Sequence, residues 1–194
     1  MSWKYLLTAA SAAVMTVPAH DASAQLQNYV IQGEMAKKIQ QKSEISLDTA
    51  KKIASGCEAF AKANQASAAI VIVDMFGQEV FFERLDGAFG LTQLVAARRK
   101  AETALSSRRT SREEMNRVLK GQTTEFHEGF YNDMFAVPGG VPIVVDDQML
   151  GAVGVGGSND DEACARAGLD AVHVKQPPRA DILPRRYGSA AGGG

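Results

Sequence analysis

The sequence predicts an α+β domain: a central antiparallel β-sheet flanked by helices. Three observations carry that expectation. Two pairs of short, β-branched runs are each joined by a tight turn, which is the pattern of antiparallel hairpins. Segments with apolar residues at helical spacing lie before, between and after those pairs. Removal of an N-terminal export signal leaves residues 25–194, a length that suits one domain with a real core.

Residues 1–24 read as a cleavable secretory signal: Met1 to Lys4, an uncharged apolar stretch from Tyr5 to Pro18, then Ala22-Ser23-Ala24 before Gln25. The apolar stretch is too short to span a bilayer of about 30 Å as a helix. The mature chain is therefore expected in the periplasm or outside the cell, cleaved near Ala24, with no membrane insertion after cleavage. Residues 25–45 read as an N-terminal arm or short helix carrying Tyr29, Met35 and Ile39.

The domain itself is expected over residues 46–173. Ser46 is placed to cap a helix whose apolar positions are Leu47, Ala50, Ala54, Cys57 and Ala61. Ala-Ala-Ile-Val-Ile-Val-Asp, the turn Met75-Phe76-Gly77 and Gln-Glu-Val-Phe-Phe-Glu-Arg-Leu make a hairpin. Leu91, Leu94, Val95, Arg98, Ala101 and Leu105 mark one face of a second long helix. Ser111-Arg112-Glu113-Glu114 has the S-x-x-E spacing of a capping box and predicts a short helix closing at Gly121.

Pro138-Gly139-Gly140 is a strong turn signal, after which residues 141–147 and 148–157 predict a second hairpin around Asp146-Asp147-Gln148. The glycines of its last strand imply close packing against its backbone. Asp160, Asp161 and Glu162 crowd the start of a final helix ending near Val172, where the helix dipole favours acids. Residues 174–194 form a Pro-, Arg- and Gly-rich tail with little core material.

Composition excludes several function classes. The formal net charge is −1, and the signal removes one base, Lys4, and one acid, Asp21, so no basic surplus points to nucleic acid. Cys57 and Cys164 form no C-x-x-C pair and read as buried small apolar side chains, with a single disulfide as the alternative in an oxidising compartment. Once His20 is removed, His127 and His173 remain, too few for a multi-histidine zinc or copper site.

Several strings stand in one order from Leu47 to Val172. They are I-V-I-V-D-M-F-G with Asp74 and Gly77, R-L-D-G-A over Arg84 to Ala88, R-K-A-E-T-A from Arg99, Arg109-Thr110, Pro138-Gly139-Gly140-Val141-Pro142, and Leu150 to Gly157 before an acidic helix start. In these the chain resembles the GlcG/HbpS-like family, whose domain also ends PduO-type proteins. The resemblance implies a central antiparallel sheet like that of profilin and PAS folds, assembly into homo-oligomers, and haem binding or haem-linked redox handling.

Two sets of residues then stand out. His127 lies in Glu125-Phe126-His127-Glu128-Gly129-Phe130-Tyr131, where aromatic rings would flank a flat ligand and the imidazole would ligate haem iron, with Tyr131 as a further contact. Lys100, lifted by the family's K-A-x-T-A, and Arg109 are the cations to hold a carboxylate, and Gly139 and Gly140 of the Pro138 turn are further candidate ligand contacts. Against these stand plainer readings: a hydrogen-bonded surface histidine, and a solvated face for Arg98, Arg99 and Lys100. The acids 160–162 would suit a metal, but capping explains them.

The sequence thus predicts a homo-oligomeric small-ligand-binding protein, with haem as the expected ligand and cofactor. The alternative is a cofactor-independent lyase, hydratase or isomerase acting on a small organic acid, with His127 as general base and Glu128 and Tyr131 beside it.

Overall fold

The computed structural model describes residues 43–88, 90–120 and 133–176, together with Gly33, Glu34 and Lys37. Contacts divide the chain into two units, residues 1–42 and 43–194. Of the first, Gly33 and Glu34 are helical and Lys37 pairs with Glu34 at 2.7 Å.

In the second unit the order is α1 (Leu47–Ala63), β1 (Ala69–Asp74), β2 (Glu79–Arg84), α2 (Leu91–Ser107), α3 (Ser111–Leu119), β3 (Gly140–Val145), β4 (Gln148–Gly156) and α4 (Asp161–Asp170). The strands form one antiparallel sheet in the order β2-β1-β4-β3, so the α+β prediction holds. The strands of each hairpin are neighbours in sequence, and joining the hairpins through β1 and β4 puts the β-branched β1 and the glycine-rich β4 at the centre.

Ser46 caps α1 as predicted, its hydroxyl accepting from the Thr49 amide. The Asp74 carboxylate closes the first hairpin by accepting from the amides of Phe76 and Gln78 at 2.8 Å each, while Gly77 supplies the positive φ of 78°. Asp146 and Asp147, both left-handed, make the two-residue turn of the second hairpin. The tight turns are thus written by Asx chemistry and glycine.

Helices α1 and α4 cover one face of the sheet, burying Ile53, Ile70, Ile72, Ile143, Val153 and Leu169. Cys57 of α1 and Cys164 of α4 are joined by a disulfide there, with Cα atoms 4.6 Å apart. Their expected role as separate apolar side chains is thereby corrected. The reason is geometric: both fall on the facing stripes of two packed helices, a juxtaposition that spacing along the chain does not encode.

The other face carries α2 over β4, β3 and β1. Here the predicted stripe is only partly right: Ala101 is buried and Leu94 and Leu105 pack at the edge of the core, but Leu91 and Val95 are exposed, and the fully buried residues are Ala97, Lys100, Ala101, Thr103 and Ala104. The strand beneath explains this. A Cβ at Gly154 would lie 2.0 Å from the Ala97 carbonyl oxygen, and one at Gly140 would lie 2.0 Å from that of Lys100. A helix seated that closely has room only for small side chains beneath it.

The capping box also moves. Thr110 is the N-cap of α3, exchanging hydrogen bonds with Glu113, and the cap at the other end is Lys120. Ser111 is one residue too late because its hydroxyl is used elsewhere, donating to the Val137 carbonyl at 2.6 Å and accepting from the Gly140 amide at 2.8 Å.

Two outcomes follow for stability. Replacing Cys57 and Cys164 together by alanine removes a link across 107 residues and lowers the unfolding free energy by about 4–5 kcal/mol in urea melts. Gly154→Val forces α2 off the sheet and costs about 3 kcal/mol or more in the same assay; a loss below about 0.5 kcal/mol would contradict the close seating.

Candidate functional site

The close approach of α2 drives Lys100 into the interior, where it is 3% exposed. Its ammonium donates to the Val155 carbonyl at 3.1 Å and to Asp161 Oδ2 at 2.5 Å. Asp161, the first residue of α4, also accepts from the Ser158 amide through its other oxygen at 2.7 Å. Burial pushes the Asp161 carboxyl upward in pKa, against the pull of the Lys100 ammonium and the Ser158 amide.

Glu162 is fully buried beside this pair. It accepts from Arg112 of α3 and, at 2.9 Å, from Arg166 one turn along α4. Asp160 is the N-cap, accepting from the Ala163 amide. Helix capping therefore accounts for one of the three acids, and the other two hold buried cations. The predicted solvated face also fails at Lys100, although Arg98 and Arg99 do lie at the surface, paired with Glu79, Glu102 and Asp133.

The structure brings Lys100, Gly139 and Gly140 together. Their contacts, however, are with one another and with Ser111: a Cβ on Gly139 would meet the Lys100 side chain at 2.9 Å, and the Gly140 amide is taken by Ser111. This cluster locks α2, α3 and α4 to the turn, and its ammonium is already neutralised. It is not an open carboxylate site. Arg109 is exposed at the α2–α3 junction, where its guanidinium donates to the Ser107 carbonyl at 3.2 Å. His127, Glu128 and Tyr131 lie outside the described residues.

An open groove of about 810 Å³ lies instead along β3, between that strand and the segment following α4. Val144 and Val145 form one wall; Val172 and Val174 form the other, with His173 between them. The second wall is fixed by its backbone. His173 takes the left-handed conformation, φ 58°, its amide donating to the Asp170 carbonyl and that of Val174 to the Leu169 carbonyl. Gln176 pins the far end, its amide group donating to the Arg166 carbonyl and to Asp170 at 3.0 Å each.

Arg108, the left-handed cap of α2, and Lys175 bring two cations to the groove, while Asp146 and Asp147 of the hairpin turn stand at its margin. Apolar walls, one imidazole and two cations suit a flat ligand with acidic substituents. The volume falls within the roughly 300–1,000 Å³ common for such sites. Sequence reasoning passed over His173 because it sat at an expected domain boundary; the signal was the alternation Val172-His173-Val174. Among the described residues no cluster of three His, Cys, Asp or Glu could hold a metal ion, and no helix is long and apolar enough to cross a membrane.

The chain matches, over residues 45–170, the family model described as haem degrading protein, HbpS-like. It is similar in structure to the Klebsiella pneumoniae protein ORFY, with TM-score 0.63 and 22% identity over 73% of this chain and 97% of that one. A PduOC:haem complex superposes with TM-score 0.63 at 21% identity, covering 69% of this chain and 99% of that one. A double mutant of HbpS from Streptomyces reticuli gives TM-score 0.62 at 26% identity, covering 74% and 94%. No curated protein matches the sequence.

The buried pair gives two expected outcomes. Lys100→Met leaves a buried carboxylate without its partner and costs about 3–5 kcal/mol in urea unfolding. A carboxyl that holds its proton more tightly when folded favours the native state at low pH. The stability of the wild type relative to Asp161→Asn therefore falls as pH rises from about 4 through the native pKa, and is level above it. A difference that grows with pH would mean that pairing with Lys100 outweighs burial.

Proposed function

The chain belongs to the HbpS-like family, and from that premise we propose that it is an exported protein that binds haem, or a similar planar carboxylated ligand, in the groove beside His173. The groove carries the reading: a histidine set in one of two valine walls, with Arg108 and Lys175 at hand for carboxylates.

The residues present fit haem in kind. Imidazole is a common proximal ligand of haem iron, and the apolar walls would exclude water from the ring faces. Arg108 and Lys175 would pair with the propionates, each charge-assisted hydrogen bond being stronger than a neutral one. Asp146 and Asp147 repel the same groups, which favours an orientation with the propionates away from the hairpin turn. When bound, the iron supplies redox chemistry; the chain's own part is to hold, orient and shield the ring.

Export is supported by two independent features. The first 24 residues have the order of a secretory signal. A disulfide between Cys57 and Cys164 belongs to an oxidising compartment such as the periplasm. Haem as the ligand class is supported by the family match and by the PduOC domain, which shares this fold and forms a complex with haem.

Haemin titration of the mature protein, followed by absorbance, tests this reading. The expected result is a saturable Soret shift near one haem per chain, lost in His173→Ala. Arg108→Glu and Lys175→Glu each weaken binding by roughly ten- to a hundredfold, as expected for a charge-assisted bond. Loss of the shift in His127→Ala with retention in His173→Ala would move the ligand to the segment before Pro138. Absence of any saturable shift would sink the haem reading.

A further inference from the structure

A carboxylated ligand leaves one part of the His173 groove without a role. Asp146 and Asp147 are neighbours in the hairpin turn, both exposed, and they line the same groove as Val144, Val145, Val172 and Val174. Two adjacent carboxylates beside an apolar wall are complementary to a pair of cations that follows an apolar run. The cations of the groove, Arg108 and Lys175, ask for the converse, an acid.

The chain itself supplies such a run. The described residues end at Gln176, which lines the groove and is pinned there by its hydrogen bonds to the Arg166 carbonyl and to Asp170. Residues 177–194, outside the described residues, continue from that point, and they contain in order Asp181, Ile182-Leu183, Pro184 and Arg185-Arg186. An acid, an apolar pair and two adjacent bases follow one another, and each has its counterpart in the groove.

The chain length allows the match. Strand β3 has 6 residues and is about 20 Å long. Ile182 comes six residues after Gln176, a reach of up to about 20 Å, so the apolar pair can be laid anywhere along that strand. Residues 177–180 are left for doubling back, a length within the roughly two to five residues of common short loops.

Tethering makes weak contacts sufficient. A segment on a short linker meets its site at an effective concentration in the millimolar range, so an intrinsic dissociation constant of about 0.1 mM fills the groove about ten times as often as it leaves it open.

We propose that residues 181–186 occupy the His173 groove when no ligand is bound, with Ile182 and Leu183 against the valines, Arg185 and Arg186 on Asp146 and Asp147, and Asp181 toward Arg108 and Lys175. A ligand must displace this tail, so the chain carries its own competitor. The competition rests on the groove being the ligand site; the docking of the tail does not.

Cross-linking reads the docking with no ligand present. In the complete mature chain Cys57 and Cys164 are already joined, so Val144→Cys with Leu183→Cys adds the two free thiols. Mild oxidation is expected to join them within one chain, seen as a linked peptide pair in a digest, about tenfold or more faster than Val144→Cys with Ser189→Cys. Equal rates for the two pairs, or a link formed only between chains, overturn the proposal. So does a rate that Arg185→Glu with Arg186→Glu leaves unchanged. Haemin titration reads the competition: the Arg185→Glu, Arg186→Glu chain binds about tenfold more tightly than the wild type, although the added negative charge would by itself weaken binding of an acidic ligand. An affinity that is unchanged or lower overturns the competition. If neither chain gives a saturable Soret shift, the haem reading fails, and the cross-link alone decides whether the tail occupies the groove.

Discussion

The close seating of α2 on glycine is the constraint on which the rest of this structure depends. Along one face of the helix the carbonyl oxygens of Gln93, Ala97 and Lys100 approach Gly156, Gly154 and Gly140, at distances that would leave no space for a methyl group. These residues recur at intervals of four and three, so a single helical stripe rides on two neighbouring strands. The contact is backbone against backbone, and its geometry is fixed more tightly than one made by flexible side chains. Everything on that face must accommodate it.

Lys100 is the first consequence. Its backbone is pressed against Gly140, so its side chain has no route to water and must find an anion inside. Asp161 supplies one, and because Asp161 opens α4, the helix start is drawn to α2. Glu162 next to it binds Arg112 and Arg166, extending the same neutralisation to α3. A buried pair adds little stability over apolar residues of the same volume, but it discriminates strongly against arrangements that leave either charge alone. The array therefore acts as a register device, holding α2, α3 and α4 in one relation while the disulfide fixes α1 to α4 on the opposite face.

The element types were readable because local signals agreed with the global fold: Ser46 as a cap, Asp74 and Gly77 as a turn, and the valine runs as strands. Less legible were features that depend on what lies across the interface. Periodicity assigned Leu91 and Val95 to the buried face of α2, since it counts hydrophobicity and not the space available. The sequence did show glycines in β4 but not which helix would sit on them. Lys100 was singled out as a ligand contact when its partner is 61 residues away. His173 was overlooked because it sat at an expected domain boundary and the facing wall of its groove comes from β3, which is distant in sequence.

The same constraint shapes the outer surface. A helix built to lie on glycine must present alanine below, yet α2 still carries Leu91, Leu94 and Val95. Those side chains are too large for the seat and are displaced to the flank, where β2 offers Phe82 and, among the described residues, no covering helix. An apolar ridge and an apolar groove thus arise side by side as a by-product of the packing beneath them. On the other edge of the sheet the alanine-lined seat has no such effect, since β3 runs out past the helix and leaves Val144 and Val145 facing the segment that carries His173. Close packing at the centre of this sheet leaves each of its edges with apolar surface, of different character, and that is where contacts with other molecules are to be sought.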